Sequence, residues 1–315
     1  DPNAVQLVVL TSSNKGGLME EMACNFERTE PTVARRPLDV VIVSESSGTA
    51  IDKISTGAVQ PDVWMPASSS WVSMLRQDQA TWIPPGLPPS VAMSPQVIAM
   101  PKPVAERMGW PEAAVGWNDS LELAKEPDRW AEIADPIGGA FKLAKTNPLF
   151  STSGLNTTVA TYAAAKGYAS DLTLEDLRDP KVLAFVKGVD ASVVHYAPTS
   201  VDFLRNLRAQ DDQGLGGERY VSAVLLEEKS VWDYNQGNPS GDPATLGEEG
   251  PPKTPLVAFS PSEGALTADH PYVILSSDWV TPAERDGARA FLRFLLEPDQ
   301  QHRFQELGFR DHDGV

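Results

Sequence analysis

An α/β fold on parallel sheets covered on both faces is what this sequence predicts, on three observations. Short apolar runs rich in β-branched residues, at 5–10, 39–43 and 62–65, end in polar loops, and helical spacing follows the first two. These runs are apolar almost throughout rather than alternating, as strands buried on both sides are. The chain has 315 residues, more than the roughly 100–200 of one domain, so two compact units, or one large one, are expected.

The first run ends in Thr11, Ser12, Ser13 and Asn14 and leads into a helix on which Leu18, Met22 and Phe26 share a face. Cys24, the single cysteine, falls beside that stripe and reads as a packed thiol. Strand, loop and helix return at 39–43, where Ser44, Glu45, Ser46, Ser47, Gly48 and Thr49 precede a helix carrying Ile51, Ile54 and Ala58. A third strand ends at Trp64 and Met65. Pro84, Pro85, Pro88 and Pro89 break regular structure before a strand at 96–100. Helical segments are expected at 121–124, 130–133 and 155–166, and strands at 192–196 and 221–226. From 235 to 254, Gly, Pro, Asn, Asp and Glu occur without apolar periodicity, the composition of a long mobile loop. Strands follow at 255–259 and 271–275. Thr281-Pro282-Ala283-Glu284 reads as a capping box with Pro at the first helical position, opening a helix with Ala288, Phe291, Leu292 and Leu295 on one face. The last helix begins at Pro298 and stops at Gly308, a residue suited to a left-handed cap.

Composition excludes several classes of function. A net charge of −17 repels a phosphate backbone, so no nucleic acid is expected as a partner. No apolar run approaches the roughly 20 residues of a membrane span, and the start has neither a basic nor an apolar leader region, so a soluble, processed or trimmed chain is expected. One cysteine allows no internal disulfide. His195, His270, His302 and His312 are scattered without ligand spacing, so neither a metal nor a cofactor is expected. No Gly-x-Ser-x-Gly elbow or triad is evident, and the chain is read as no enzyme.

What remains is a binding chemistry. In α/β sheets ligands bind beyond the carboxyl ends of strands, where loops enter helix N-termini with unpaired N–H groups and partial positive charge. Ser12-Ser13, Ser46-Ser47-Gly48-Thr49 and Ser151-Thr152-Ser153-Gly154 are placed at such junctions, their hydroxyls adding rotatable donors. Gly48 and Gly154 are read as allowing a ligand to approach the backbone closely. Alone, each run reads as an ordinary helix cap; the three together point to a ligand. Thr146 joins the third run in this reading, and among the aromatics near the suspected strands Trp64 and Tyr234 are retained as ligand residues. The runs hold no Arg, and the nearby cations are Lys15, Lys53 and Lys145, the last read as a surface lysine. Glu227-Glu228-Lys229 reads as a charged face. The expected ligand is a small polar solute: an oxyanion, a sugar or a small organic molecule.

These residues resemble the type II periplasmic solute-binding proteins of ABC transporters, a family that includes molybdate and sulfate receptors. The carriers are Thr11-Ser12-Ser13, Phe26-Glu27-Arg28-Thr29-Glu30, Ser46-Ser47-Gly48-Thr49, Pro61-Asp62-Val63-Trp64-Met65-Pro66-Ala67-Ser68 and Phe304-Gln305-Glu306-Leu307-Gly308-Phe309. Phe141-Lys142-Leu143-Ala144-Lys145-Thr146-Asn147-Pro148, Ser151-Thr152-Ser153-Gly154-Leu155-Asn156 and Glu227-Glu228-Lys229-Ser230-Val231-Trp232-Asp233-Tyr234-Asn235 resemble an actinobacterial branch in which the module precedes a von Willebrand factor type A domain.

The resemblance implies two lobes, each a mostly parallel sheet flanked by helices, joined by two crossover strands. Lobe one would hold 1–98 and 262–315, and lobe two 99–261. It implies ligand residues at Ser12, Ser13, Ser46, Ser47, Ser153 and Tyr196, capture by hinge closure, a possible ABC permease partner, a monomer, and export to the cell envelope with an anchor outside this chain. Two other readings stay open: a ligand-independent module serving the attached domain or an envelope partner, and an enzyme on the same scaffold, as in porphobilinogen deaminase.

Overall fold

The computed structural model describes residues 3–133, 139–167, 171–262 and 264–315. They form two compact units: 1–94 with 241–246 and 267–315, and 95–240 with 247–266.

The first unit opens with strand β1 (Val5–Ser12), helix α1 (Gly16–Glu27), β2 (Thr32–Val33), β3 (Arg36–Glu45), α2 (Ser47–Ser55), β4 (Val63–Met65) and α3 (Ser69–Asp78). β1 is central, parallel to β3 from Val5↔Leu38 to Ser12↔Glu45 and parallel to β4 at Val9↔Val63 through Thr11↔Met65. That register ends the three strands at one edge, so the loops into α1, α2 and α3 leave the sheet together. Leu7, Val9, Leu10 and Trp64 are buried in the strands, and Met22 and Phe26 present the expected face of α1. Cys24 is exposed, which corrects the packed reading: six residues after Leu18 it lies well round the helix from the apolar stripe.

The second unit contains β5 (Ser94–Pro101), α4 (Lys102–Arg107), α5 (Trp117–Lys125), α6 (Pro127–Ile133), β6 (Leu143–Thr146), α7 (Thr152–Lys166), α8 (Pro180–Ser192), β7 (Val193–Ala197), α9 (Ser200–Asp212), α10 (Gly217–Tyr220), β8 (Ala223–Glu227), α11 (Glu228–Asn235) and β9 (Leu256–Phe259). β6 runs parallel to both β7 and β8, while β5 is antiparallel to β8 and β9. Alternate strand residues part to two cores: Ile98, Met100, Ala223 and Leu225 join Trp117, Leu121, Trp130 and Ala160, whereas Val97, Ala99, Val224 and Leu226 join Phe203, Leu207 and Tyr234. The sheet is therefore covered on both faces, as near-continuous apolar strands require.

The polar stretch after α11 is tied down at several points. Asn235 exchanges two 2.8 Å bonds with the Leu256 backbone, Thr254 binds Asp211 through its N–H (3.0 Å) and hydroxyl (2.7 Å), and Pro243–Thr245 forms one turn of 3-10 helix within the first unit.

The chain closes the first unit with short strands β10 (Thr267–Ala268) and β11 (Val273–Ile274), then α12 (Pro282–Leu295) and α13 (Pro298–Glu306). β11 pairs antiparallel with β4. The Thr281/Glu284 capping box is present, and Gly308 has φ +81°, as the sequence predicts for both helix ends. The aromatic rings of Phe291 and Phe294 each lie 5.2 Å from that of Phe26, packing α12 against α1. Among the described residues no helix is long and apolar enough to cross a membrane.

Candidate functional site

In the first unit the predicted hydroxyls lie at the carboxyl edge of β1, β3 and β4. Ser12 ends β1; its Oγ donates to Asn14 (2.8 Å) and accepts from the Lys15 ammonium. Lys15 is fully buried and also donates to the Met65 carbonyl at 2.9 Å, with the Pro66 carbonyl at 3.5 Å and His270 Nδ1 at 3.3 Å. This lysine thus ties the end of β1 to the end of β4. Ser13 is half-buried in the 3-10 turn before α1.

Ser46 caps α2, its Oγ accepting from Thr49 N (3.4 Å) and donating to Thr49 Oγ1 (2.7 Å). Ser47 is buried and accepts from Ala67 N at 3.1 Å, so one hydroxyl joins the start of α2 to the loop before α3. Gly48 is buried in the first turn of α2. Sequence reasoning missed the third junction, Ser68-Ser69: Ser68 caps α3, and Ser69 donates from its N–H to Asp269 at 2.7 Å and from its hydroxyl to the same carboxylate. Its signal was the Ser68-Ser69-Ser70 run that begins three residues after the expected strand at 62–65. Trp64 is 1% exposed, in the strand core of this unit.

In the second unit Thr146 ends β6 beside Ala197 of β7. Its Oγ1 lies 2.9 Å from Ser151 Oγ, and both are buried. Ser153 and Ser200 face each other at 3.2 Å, bringing the first turns of α7 and α9 together. Ser200 was not predicted, since only folding puts residues 47 apart in sequence side by side. Thr152 is buried in the first turn of α7, and Tyr196 is 57% exposed on β7. Tyr234 is fully buried in the core on the α9 and α11 face, where burial raises the pKa of its phenol.

Gly154 has a different use from the one expected. A Cβ there would meet the Thr146 carbonyl oxygen and stand 2.8 Å from the Asn147 carbonyl carbon. The missing side chain lets α7 close on the end of β6, so the space is filled by backbone.

The charged residues also sit differently from their sequence readings. Lys145 is buried and pairs with Asp190 at 2.9 Å rather than lying on the surface. Glu227 and Lys229 are buried at the start of α11, where Lys229 pairs with buried Asp233 and stands 5.9 Å from the ring of Trp232. Burial pushes the Asp233 carboxyl up to about 6 against the pull of Lys229, and the Glu227 charge adds to the rise.

Two α/β units, each gathering hydroxyl-bearing helix starts at the carboxyl edge of its parallel strands, have the fold of the type II periplasmic binding proteins. The chain belongs to the bacterial extracellular solute-binding protein family, whose model matches residues 7–310. It is similar in fold to the periplasmic binding protein AfuA of Actinobacillus pleuropneumoniae, solved with fructose-6-phosphate bound, at a TM-score of 0.63 and 16% identity over 99% of this chain and 86% of that one. The sulfate-binding protein SubI of Mycobacterium tuberculosis gives a TM-score of 0.58 and 15% identity over 98% and 87%. An uncharacterized protein of Mycobacterium tuberculosis is 30% identical over 93 residues, which are 30% of this chain and 12% of that protein's length.

Proposed function

We propose that this chain is the extracytoplasmic receptor of an ABC-type uptake system, taking a small polar solute between its two units by hinge closure. One observation carries the reading: each unit, by itself, presents helix starts lined with hydroxyls at the carboxyl ends of parallel strands. Ligand contacts are assigned to Ser12, Ser13, Ser46, Ser47, Gly48 and Thr49 on one unit and to Thr146, Ser151, Thr152, Ser153 and Tyr196 on the other, with Ser69 and Ser200 added. Trp64 and Tyr234, buried in the cores, and Gly154, closed over by backbone, are left out of the contact set. The receptor works as a monomer at the cell envelope. Binding performs no chemistry; it biases an open and closed equilibrium.

A ligand at about 100 times its dissociation constant adds about 2.7 kcal/mol to stability, seen as a rise in melting temperature together with a smaller scattering radius. A panel of sugars, polyols, amines, amino acids, short peptides and oxyanions that moves neither quantity overturns the reading.

A second reading is a ligand-independent module serving an attached von Willebrand factor type A domain, which the resemblance of the sequence implies; the mycobacterial relative, matched over 12% of its length, is itself a longer protein. Under it, Ser47→Trp and Ser153→Trp leave partner capture intact; under the receptor reading they abolish solute binding.

A further inference from the structure

The segment 241–246 leaves the second unit's sequence block and packs with the first. What it brings to the first turn of α1 is a carboxylate. A Cβ on Gly17 would lie 2.9 Å from Asp242 Cγ and 3.1 Å from Pro243 Cδ, so the acid rests directly on the helix start that follows Ser12 and Ser13. Asp242 Oδ1 also accepts from Ala244 N at 2.9 Å, which fixes the carboxylate on its own turn.

A helix start with its N–H groups exposed attracts an anion, and one already faced by a carboxylate repels a second. The start of α3 also has a carboxylate beside it, there as a direct acceptor: Ser69 donates to Asp269 from both its N–H and its hydroxyl. The cations near these loops are engaged too: Lys15 on Ser12 Oγ and the Met65 carbonyl, and Lys53 on Glu45. In the second unit Lys145 is engaged with Asp190 and Lys229 with Asp233, and Glu227 is buried at the end of β8.

We propose that Asp242 fixes the charge class of the ligand: the first turn of α1 carries a carboxylate of the chain itself, and the solute taken at this edge is a polyol or an amine rather than an oxyanion. The proposal rests on the receptor reading and narrows it. Asp242 here is a specificity-determining residue, and Gly17 is the vacancy in the helix that lets it approach.

The test compares wild type, Asp242→Asn and Gly17→Ala by thermal shift and calorimetry against sulfate, molybdate and phosphate, glucose and inositol, putrescine, spermidine and choline. Each ligand-induced shift is referred to the same variant without ligand, and circular dichroism checks that each variant is folded. Gly17→Ala leaves the acid in the sequence and pushes its segment off α1, so it tests the contact without removing the charge. We expect wild type to respond to a neutral or cationic member and to no oxyanion. Both variants then lose at least about tenfold in affinity for a cationic ligand or gain a response to sulfate or molybdate. A wild-type response to any of the three oxyanions overturns the proposal and leaves the receptor reading standing. An unchanged ligand preference in two folded variants also overturns it. Silence of the whole panel on all three proteins overturns the proposal; the receptor reading falls with it only if amino acids and short peptides are silent as well.

Discussion

The two units solve the same problem, three helices starting at the ends of three parallel strands, with different materials. In the first unit the hydroxyls serve as caps and backbone acceptors, Ser46 for α2, Ser68 for α3 and Ser47 for Ala67 N, and the clearances are set by side chains: Gly17 faces Asp242 and Pro243. In the second unit hydroxyl meets hydroxyl, Thr146 with Ser151 and Ser153 with Ser200, and the tightest clearance is against backbone, Gly154 over Thr146 and Asn147. A loop held by side chains can yield where one held by backbone cannot. The first unit's edge is therefore the adjustable one.

The largest effect expected from that difference is at the glycines. Gly154→Val sets a branched side chain into the Thr146 and Asn147 backbone and should cost about 3 kcal/mol or more, since strand and helix must both shift. Gly17→Ala displaces only a turn, and its cost should stay at about 1 kcal/mol. Urea denaturation of the two variants reads both values. Equal costs would remove the distinction between a yielding and a fixed edge.

The next effect is at the buried lysines. Lys229→Met leaves Asp233 buried without that cation and should cost about 3 kcal/mol at pH 7. Lys15→Met frees neutral acceptors, the Ser12 hydroxyl and the Met65 carbonyl, and should cost about 2 kcal/mol. The Lys229–Asp233 pair also responds to pH. The Asp233 carboxyl titrates near 6 in the fold against a usual value of 3.8, so the native state holds the extra proton between those values. Its contribution is present below about pH 4 and lost as pH rises through 6. Without Lys229 the carboxyl moves higher still, so the penalty of Lys229→Met shrinks toward pH 4. Stability curves from pH 4 to 8 check it.

Much of this architecture is legible in the sequence because burial on both faces leaves continuous apolar runs, and caps are local. β1, β3, β4 and β5 follow from the first property, and the Thr281 box and Gly308 from the second. α8 carries the same kind of local signal: Asp179 caps it, Pro180 starts it, and Val182, Val186 and Val189 recur at helical spacing. The site was legible only as three of its six junctions. Ser153 and Ser200 meet through tertiary packing, and Lys145 finds Asp190 45 residues away, which no local pattern announces. Lysines are seldom buried unless paired, so an unseen partner sends the reading to the surface. Gly154 misled for a related reason: a sequence shows that room is left, not what fills it.

The smallest expected effect asks whether a capping hydroxyl does more than cap. Ser46 caps α2 at the proposed ligand edge, while Thr281 caps α12 in the same unit and is assigned no ligand. Removing either hydroxyl frees one helical N–H, so Ser46→Ala and Thr281→Ala should each cost about 1 kcal/mol in the absence of ligand. Thr281→Ala should leave every ligand-induced melting shift as in wild type. Ser46→Ala should shrink the shift produced by whichever solute stabilises wild type, because that hydroxyl and the freed Thr49 N–H both border the edge. If the two variants keep identical shifts, Ser46 is a cap alone, and the ligand contacts of the first unit contract to Ser12, Ser13 and the start of α3.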